Sequence, residues 1–242
     1  MGSERTVAVV PAAGRGERMG GGKNKVFLPL GDRPLLAHTL GVLQDCPLVD
    51  EVVVAVGEGE EEYCRREVLE PFELRKVTGV IHGGASRQET VGLALDYIGG
   101  SAAIVVIHDG ARPLLPPKLL EQAIELGREY GAVVVGVPAR DTVKRVTTAG
   151  GEELSRVAET LERRDLWQIQ TPQVFWRDLI QMAYRRAAER GLRATDDAAT
   201  VEALRHPVLV LPGSEENIKV TTPLDLVLAG AILDWRARRK GP

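Results

Sequence analysis

Residues 7–30 read VAVVPAAGRGERMGGGKNKVFLPL: an apolar run enters a stretch of glycines and basic residues, then returns to apolar sequence. Ala12, Ala13 and Gly14 have almost no side chain, so a nucleotide could lie directly on their backbone. Arg15, Arg18, Lys23 and Lys25 place cations around it, and arginine forks and lysine point charges both suit phosphate oxygens. Phosphate binding is the chemistry this loop points to; a flexible, solvated surface loop is the reading that leaves its charges idle. Spacing excludes two familiar phosphate sites. A P-loop needs Gly-Lys-Ser/Thr five residues after its first glycine, and no register supplies it. The dinucleotide fingerprint needs a third glycine where Met19 stands and an acid about 20 residues on, after the next strand. That strand ends near Val56, too late.

Two other stretches hold residues of the same kind. GGASRQETV (83–91) offers Gly83, Gly84, Arg87 and Thr90, although Arg87 could equally be a surface charge on a helix. HDGARP (108–113) places Asp109 directly after an apolar run, where an acid is costly unless used; a turn or helix-capping acid is the alternative. His108 reads as structural, since a lone histidine is not a metal site. No Ser/His or His/Asp constellation stands out, so nucleophilic or general-base catalysis by a side chain is not expected.

These stretches need a scaffold that gathers them. Runs at 6–10, 51–56, 77–82, 102–107 and 132–137 read as strands, separated by helical spacing at 34–44, 60–69, 86–97 and 117–130. Short, continuous β-branched runs between helices mean strands buried on both faces, hence an α/β fold with a mostly parallel, Rossmann-like doubly wound sheet. Sites in such sheets lie beyond the carboxyl ends of the strands, which places 12–25, 83–87 and 108–113 in one crevice. The alternation breaks after Pro138. Residues 140–165 are extended, polar and β-branched on both sides of Gly150-Gly151, which reads as a β-hairpin arm at about 139–163. An isolated hairpin is marginal in water, so a partner subunit or the protein's own site should receive it. Helices are expected at 176–189, 196–204 and 224–239 and a strand at 207–211, with no linker to divide the 242 residues into two domains.

Bulk composition narrows the class. The chain is 44% hydrophobic and 27% charged with a formal net charge of -3, ordinary for a soluble globular protein and without the basic excess of a nucleic-acid binder. It holds no apolar run long enough to span a membrane and no secretory leader, and its two cysteines suggest neither a disulfide scaffold nor a zinc pair. A cytoplasmic location is expected.

PAAGRGERM followed by a lysine resembles the signature of the sugar-nucleotidyltransferases. GGASRQETV, HDGARP, RDTVKR (140–145), RRDLWQIQTPQVF (163–175), TDDA (195–198) and NIKVTTPLDL (217–226) narrow the resemblance to the 2-C-methyl-D-erythritol 4-phosphate cytidylyltransferase family of the non-mevalonate isoprenoid pathway. The resemblance runs in order from Val7 to about Leu228. Departures are few: Asn24 where many members have proline, Gly110 where alanine is common and Thr90 in place of serine. None removes a functional group.

The resemblance implies transfer of CMP from CTP to methylerythritol phosphate with release of pyrophosphate. It assigns transition-state stabilisation to Arg18 and Lys25, and contact with the α-phosphate and nucleophile to Lys219. CTP would be held by Pro11, Ala12, Ala13, Gly14, Gly83, Gly84, Arg87, Thr90, Asp109 and Gly110. The acceptor would be held by Arg112, Thr142, Arg163, Thr171 and Lys219. Asp109 would carry a Mg²⁺-linked role or a ribose contact, Mg²⁺ or another divalent cation being the expected cofactor. In the family the arm clasps its twin, which implies a homodimer in which Thr142 and Arg163 enter the neighbour's site. A chain ending soon after its last helix, at RARRKGP, is expected to lack the second enzyme that some relatives carry. Two rivals stay open: a ribitol 5-phosphate cytidylyltransferase, and a non-catalytic nucleotide-binding protein on the same fold.

Overall fold

The computed structural model describes residues 5–14, 24–100, 102–148 and 154–240. Arg15, Arg18 and Lys23 of the basic loop, and the Gly150-Gly151 turn, lie outside the described residues.

Strands and helices alternate as the apolar runs predict. β1 (Thr6–Pro11) is followed by a 3-10 turn (Lys25–Phe27), the two-residue strands β2 (Pro29–Leu30) and β3 (Arg33–Pro34), and α1 (Leu35–Asp45). Then come β4 (Glu51–Val56), α2 (Glu61–Cys64), β5 (Val77–His82), α3 (Arg87–Ile98), β6 (Ile104–Ile107), α4 (Pro117–Tyr130) and β7 (Ala132–Pro138). The helix expected over 60–69 is α2 continued by a single π turn, Arg65–Leu69. The chain ends with β8 (Lys144–Thr148), β9 (Ser155–Thr160), a 3-10 turn (Arg163–Asp165), β10 (Trp167–Trp176), α5 (Arg177–Glu189), α6 (Asp197–Glu202), β11 (Leu209–Pro212) and α7 (Pro223–Lys240).

Seven strands form one sheet in the order β11-β7-β10-β6-β1-β4-β5. All neighbours are parallel except at β10, which runs antiparallel to both β6 and β7. Alternate residues feed two cores. Ala8, Val10, Val54 and Val106 pack with α1 and α4 on one face, while Val7, Val9, Val53, Val105 and Ile107 pack with α3, α5 and α6 on the other. Two covered faces explain why these strands are apolar without alternation. At Gly127 of α4 a Cβ would lie 2.3 Å from Val174 Cγ1, so this mid-helix glycine sets how closely α4 sits on β10. No helix among the described residues is long and apolar enough to cross a membrane.

β10 is the element that sequence patterning leaves unassigned. Its ladder to β7 shifts register between Gln170 and Gln173, around Pro172, and half of its inward positions are polar. β8 and β9 pair antiparallel in a separate two-stranded sheet, from Lys144↔Thr160 to Thr148↔Ser155, and every residue of β9 is exposed. The arm grows from one rung of the main sheet: Trp167 pairs with Pro138, and Ala139 N–H donates to the Leu166 carbonyl at 2.9 Å.

Candidate active site

Because β1, β4, β5 and β6 are parallel, their carboxyl ends share an edge. The antiparallel β10 delivers its early residues, including Thr171, to that same edge. Two backbone loops rest on the end of β4 there. Ala12 N–H donates to the Ala55 carbonyl and Gly83 N–H to the Val56 carbonyl, both at 2.7 Å. A Cβ on Gly83 would stand 2.4 Å from that of Ala13. The 12–14 and 83–84 segments therefore meet across a gap only glycine leaves open.

Asn24 closes the basic loop. Its buried side-chain amide donates to the Ala12 carbonyl and to Glu60 Oε2, each at 2.7 Å, while its Oδ1 accepts from Val26 N–H. The departure from proline thus ties the loop's two ends together and places Lys25 in the first turn beyond it.

The 83–86 loop leads into α3 through a capping arrangement. Ser86 Oγ accepts from Glu89 N–H at 3.1 Å, and the Glu89 carboxylate reaches back to Ala85 N–H at 2.9 Å. Thr90 Oγ1 accepts from Gly84 N–H at 3.0 Å and donates to the Ser86 carbonyl at 2.9 Å. Its hydroxyl shapes the loop from below.

Asp109 is the centre of charge. It follows β6 and is almost wholly buried. Its Oδ1 accepts from Arg87 Nε at 3.0 Å; its Oδ2 lies 2.7 Å from Lys219 Nζ and 3.6 Å from Arg112 Nε. Burial pushes the carboxyl's pKa up, but Arg87, then Lys219 and Arg112, outweigh it and hold the group well below the usual carboxylate range. Gly110 N–H donates to the Pro11 carbonyl at 3.1 Å. An alanine at 110 would put its Cβ 3.0 Å from that of Ala12, so the glycine matches the close approach of this turn to β1.

His108 is structural, as expected. The Asp109 N–H donates to Thr171 Oγ1 at 3.0 Å, and that hydroxyl in turn donates to His108 Nδ1 at 2.9 Å. The remaining ring N–H donates from Nε2 to the Arg112 carbonyl at 3.2 Å. Both nitrogens are used, and burial pulls the imidazole down to about 4.

The expected residues separate into three groups. Asp109, Arg87, Arg112, Lys219 and Thr171 meet in one cluster, with Pro11, Ala12, Ala13, Gly14, Gly83, Gly84 and Gly110 in the loops around it. Arg18 lies outside the described residues. Thr142 and Arg163 stand at the base of the arm, exposed, with Arg163 bonded to the Arg140 carbonyl. No hydrogen bond or ion pair among the described residues joins either one to Asp109 or Lys219 within the chain.

Two features escape sequence reasoning. Arg87 is not a surface charge: beyond Asp109 it makes a two-pronged pair with the buried Asp197, at 2.9 and 2.7 Å. Asn217, fully buried, donates to the Thr171 carbonyl at 2.8 Å and accepts from Arg112 Nη1 at 2.7 Å through its own carbonyl. The polar TDDA and NIKVTT stretches signalled that something was held there, but not what.

Among the described residues no three His, Cys, Asp or Glu side chains stand together as a metal cage. Asp109 would offer a Mg²⁺ ion one hard oxygen ligand, which fits an ion that keeps several waters and takes only one or two carboxylates.

Comparison with known proteins finds relatives over nearly the whole chain. The family model described as 2-C-methyl-D-erythritol 4-phosphate cytidylyltransferase matches residues 6–235. The protein of that name from Syntrophotalea carbinolica is 46% identical over 227 residues, covering 93% of this chain and 95% of the relative. The crystal structure of 4-diphosphocytidyl-2C-methyl-D-erythritol synthase from Anaerococcus prevotii superposes with a TM-score of 0.82 at 26% identity, over 96% of each chain. That of the cytidylyltransferase from Thermus thermophilus gives 0.75 at 33% identity, over 93% of this chain and 98% of that one. With a parallel sheet broken only at β10, a charged cluster at its carboxyl edge and a match over nearly its whole length, the chain belongs to the 2-C-methyl-D-erythritol 4-phosphate cytidylyltransferase family.

Proposed function

We propose that this protein transfers the cytidylyl group of CTP to 2-C-methyl-D-erythritol 4-phosphate, giving 4-diphosphocytidyl-2-C-methyl-D-erythritol and pyrophosphate for isoprenoid precursor synthesis. The observation that carries the reading is the cluster of Arg87, Arg112 and Lys219 around one buried carboxylate, Asp109, beside two side-chain-free loops.

The acceptor phosphate has a second pKa near 6, so it arrives as a dianion and needs no general base. One of its oxygens bonds to the α-phosphorus of CTP while the bond from that phosphorus to the α,β-bridging oxygen breaks, and pyrophosphate leaves with the electron pair. The barrier is the meeting of two polyanions, which positioned cations lower. Arg18 and Lys25 stabilise the charge that builds on the α-phosphoryl and the leaving group. Lys219, 38% exposed beside Asp109, turns from that carboxylate to the reacting phosphates. Backbone groups of 11–14 and 83–84 and Gly110 hold the nucleotide, in a loop shaped by Thr90 and Arg87. Arg112 and Thr171 line the acceptor side. Asp109 would hold Mg²⁺, and the ion would supply neutralisation of triphosphate charge.

Thr142 and Arg163 complete the acceptor site from the partner of a homodimer built through the arm, and the enzyme works in the cytoplasm. The exposure of β9 and of both residues supports this arrangement. The test is pyrophosphate release from CTP with methylerythritol phosphate or ribitol 5-phosphate offered separately. Turnover with the first alone is expected. Preference for ribitol phosphate would overturn the acceptor, and turnover with neither would leave a nucleotide-binding protein.

A further inference from the structure

TDDA has no part in the transfer as written above, yet it holds the most deeply buried acid of the site. Asp197 is 0% exposed. Its Oδ1 accepts from Arg87 Nη1 and from the Tyr184 hydroxyl, and its Oδ2 from Arg87 Nη2. The third donor of the same fork, Arg87 Nε, goes to Asp109 Oδ1, and Asp109 Oδ2 faces Lys219. A single line of contacts runs from Tyr184 on α5 through Asp197 on α6 and Arg87 on α3 to Lys219.

We infer that Asp197 is a positioning residue for cytidylyl transfer: by fixing both amino groups of Arg87 it holds Asp109 so that one carboxylate oxygen is left for Lys219. The inference rests on the proposed role of Lys219. Two physical points support it. A planar guanidinium bonded through Nη1, Nη2 and Nε has no torsional freedom left. Asp109 alone also faces three cations. With Asp197 the five groups sum to one positive charge; without it they sum to two, and Arg87 is released to compete for Asp109 or for the substrate phosphates. Asp197 cannot be a general base, since both of its oxygens are spent on donors. A purely architectural role, joining α3, α5 and α6, is the rival.

The two roles separate in a double-mutant cycle. Asp197→Asn keeps the side chain's shape but turns one acceptor into a donor facing Arg87, breaking the fork. It is measured alone and with Lys219→Ala, following kcat, the KM for CTP, CTP affinity by calorimetry and the melting temperature. In the otherwise native protein kcat is expected to fall about 10- to 100-fold, the scale of a small misplacement at a reacting centre. CTP affinity should fall less than kcat, by no more than about 10-fold, since the backbone bonds that seat Ala12 and Gly83 on β4 do not involve Asp197. With Lys219→Ala present, Asp197→Asn should cost little more, because both changes act on one path.

Equal factors in both backgrounds, tracking a lowered melting temperature, would overturn the inference and leave the architectural role. A Lys219→Ala protein with native turnover would instead remove the assignment of Lys219, and this inference with it. Should Asp197→Asn not fold, Arg87→Lys carries the same cycle, because lysine keeps the charge and loses the fork.

Discussion

Acidification should weaken this fold through one buried imidazole, in a pH range separate from that of its carboxylates. His108 is fully buried and held down to about 4, against an ordinary value of 6.5. Between those values the unfolded chain binds a proton that the folded protein does not, so stability rises with pH. The contribution is complete above about pH 6.5 and is lost as the pH falls below it. Near pH 5 the two protonation curves differ enough to cost about 2 kcal/mol relative to neutral pH, with a slope approaching about 1.4 kcal/mol per pH unit. Asp109 behaves differently: its depressed value keeps its contribution intact until the pH falls below about 4, the ordinary carboxylate range. His38, pulled down mainly by partial burial, acts in the same direction as His108. The assay is therefore urea unfolding from about pH 7.5 to pH 5 in a His38→Gln background, with the His108 ring protons followed by NMR in the folded protein. A flat stability profile, or a folded-state titration of His108 near 6.5, would refute the reasoning.

Thr171→Val removes the hydroxyl that bridges Asp109 N–H and His108 Nδ1 and leaves both buried groups unpaired; a loss of about 2–4 kcal/mol in chemical denaturation is expected. Gly83→Ala would press a methyl against Ala13 and Thr90 Oγ1 at 2.4 and 2.9 Å. Calorimetry should show CTP affinity falling by at least about 10-fold while the melting temperature changes little. Tyr184→Phe takes a donor from a buried carboxylate and should cost roughly 1.5–3 kcal/mol by urea unfolding. Val146 and Val157 are cross-strand neighbours in the arm at 51% and 55% exposure; if the proposed dimer forms through the arm, changing both to Asp should leave a monomer, as read by sedimentation velocity.

How much of this was legible depends on the range of each interaction. The parallel strands announced themselves because two covered faces force continuous β-branched runs. The arm did so through two extended polar segments around a Gly-Gly pair. β10 did not, because Pro172 and the polar residues that reach the site edge interrupt its pattern. α3 was legible down to its cap, since Ser86 and Glu89 are local partners. The clamp on Arg87, itself named by the resemblance as a site residue, was not: its partner Asp197 lies 110 residues away, and nothing local separates a clamped arginine from a solvated one. The family resemblance named Asp109 and Lys219 as site residues, while their contact at 2.7 Å required the fold. Asn24 looked like a harmless departure from proline and proved to bond back to the Ala12 carbonyl and to Glu60.

The single rung from which the arm departs also makes it separable. Ala139 and Leu166 are already joined by a backbone hydrogen bond, and Pro138 and Trp167 already pair. The two cut ends therefore stand as close as the last pair of a β-hairpin, and a two-residue Asn-Gly turn can join them without moving the sheet. The arm is in this sense a cassette. It can be shortened, exchanged between relatives or removed without touching either core.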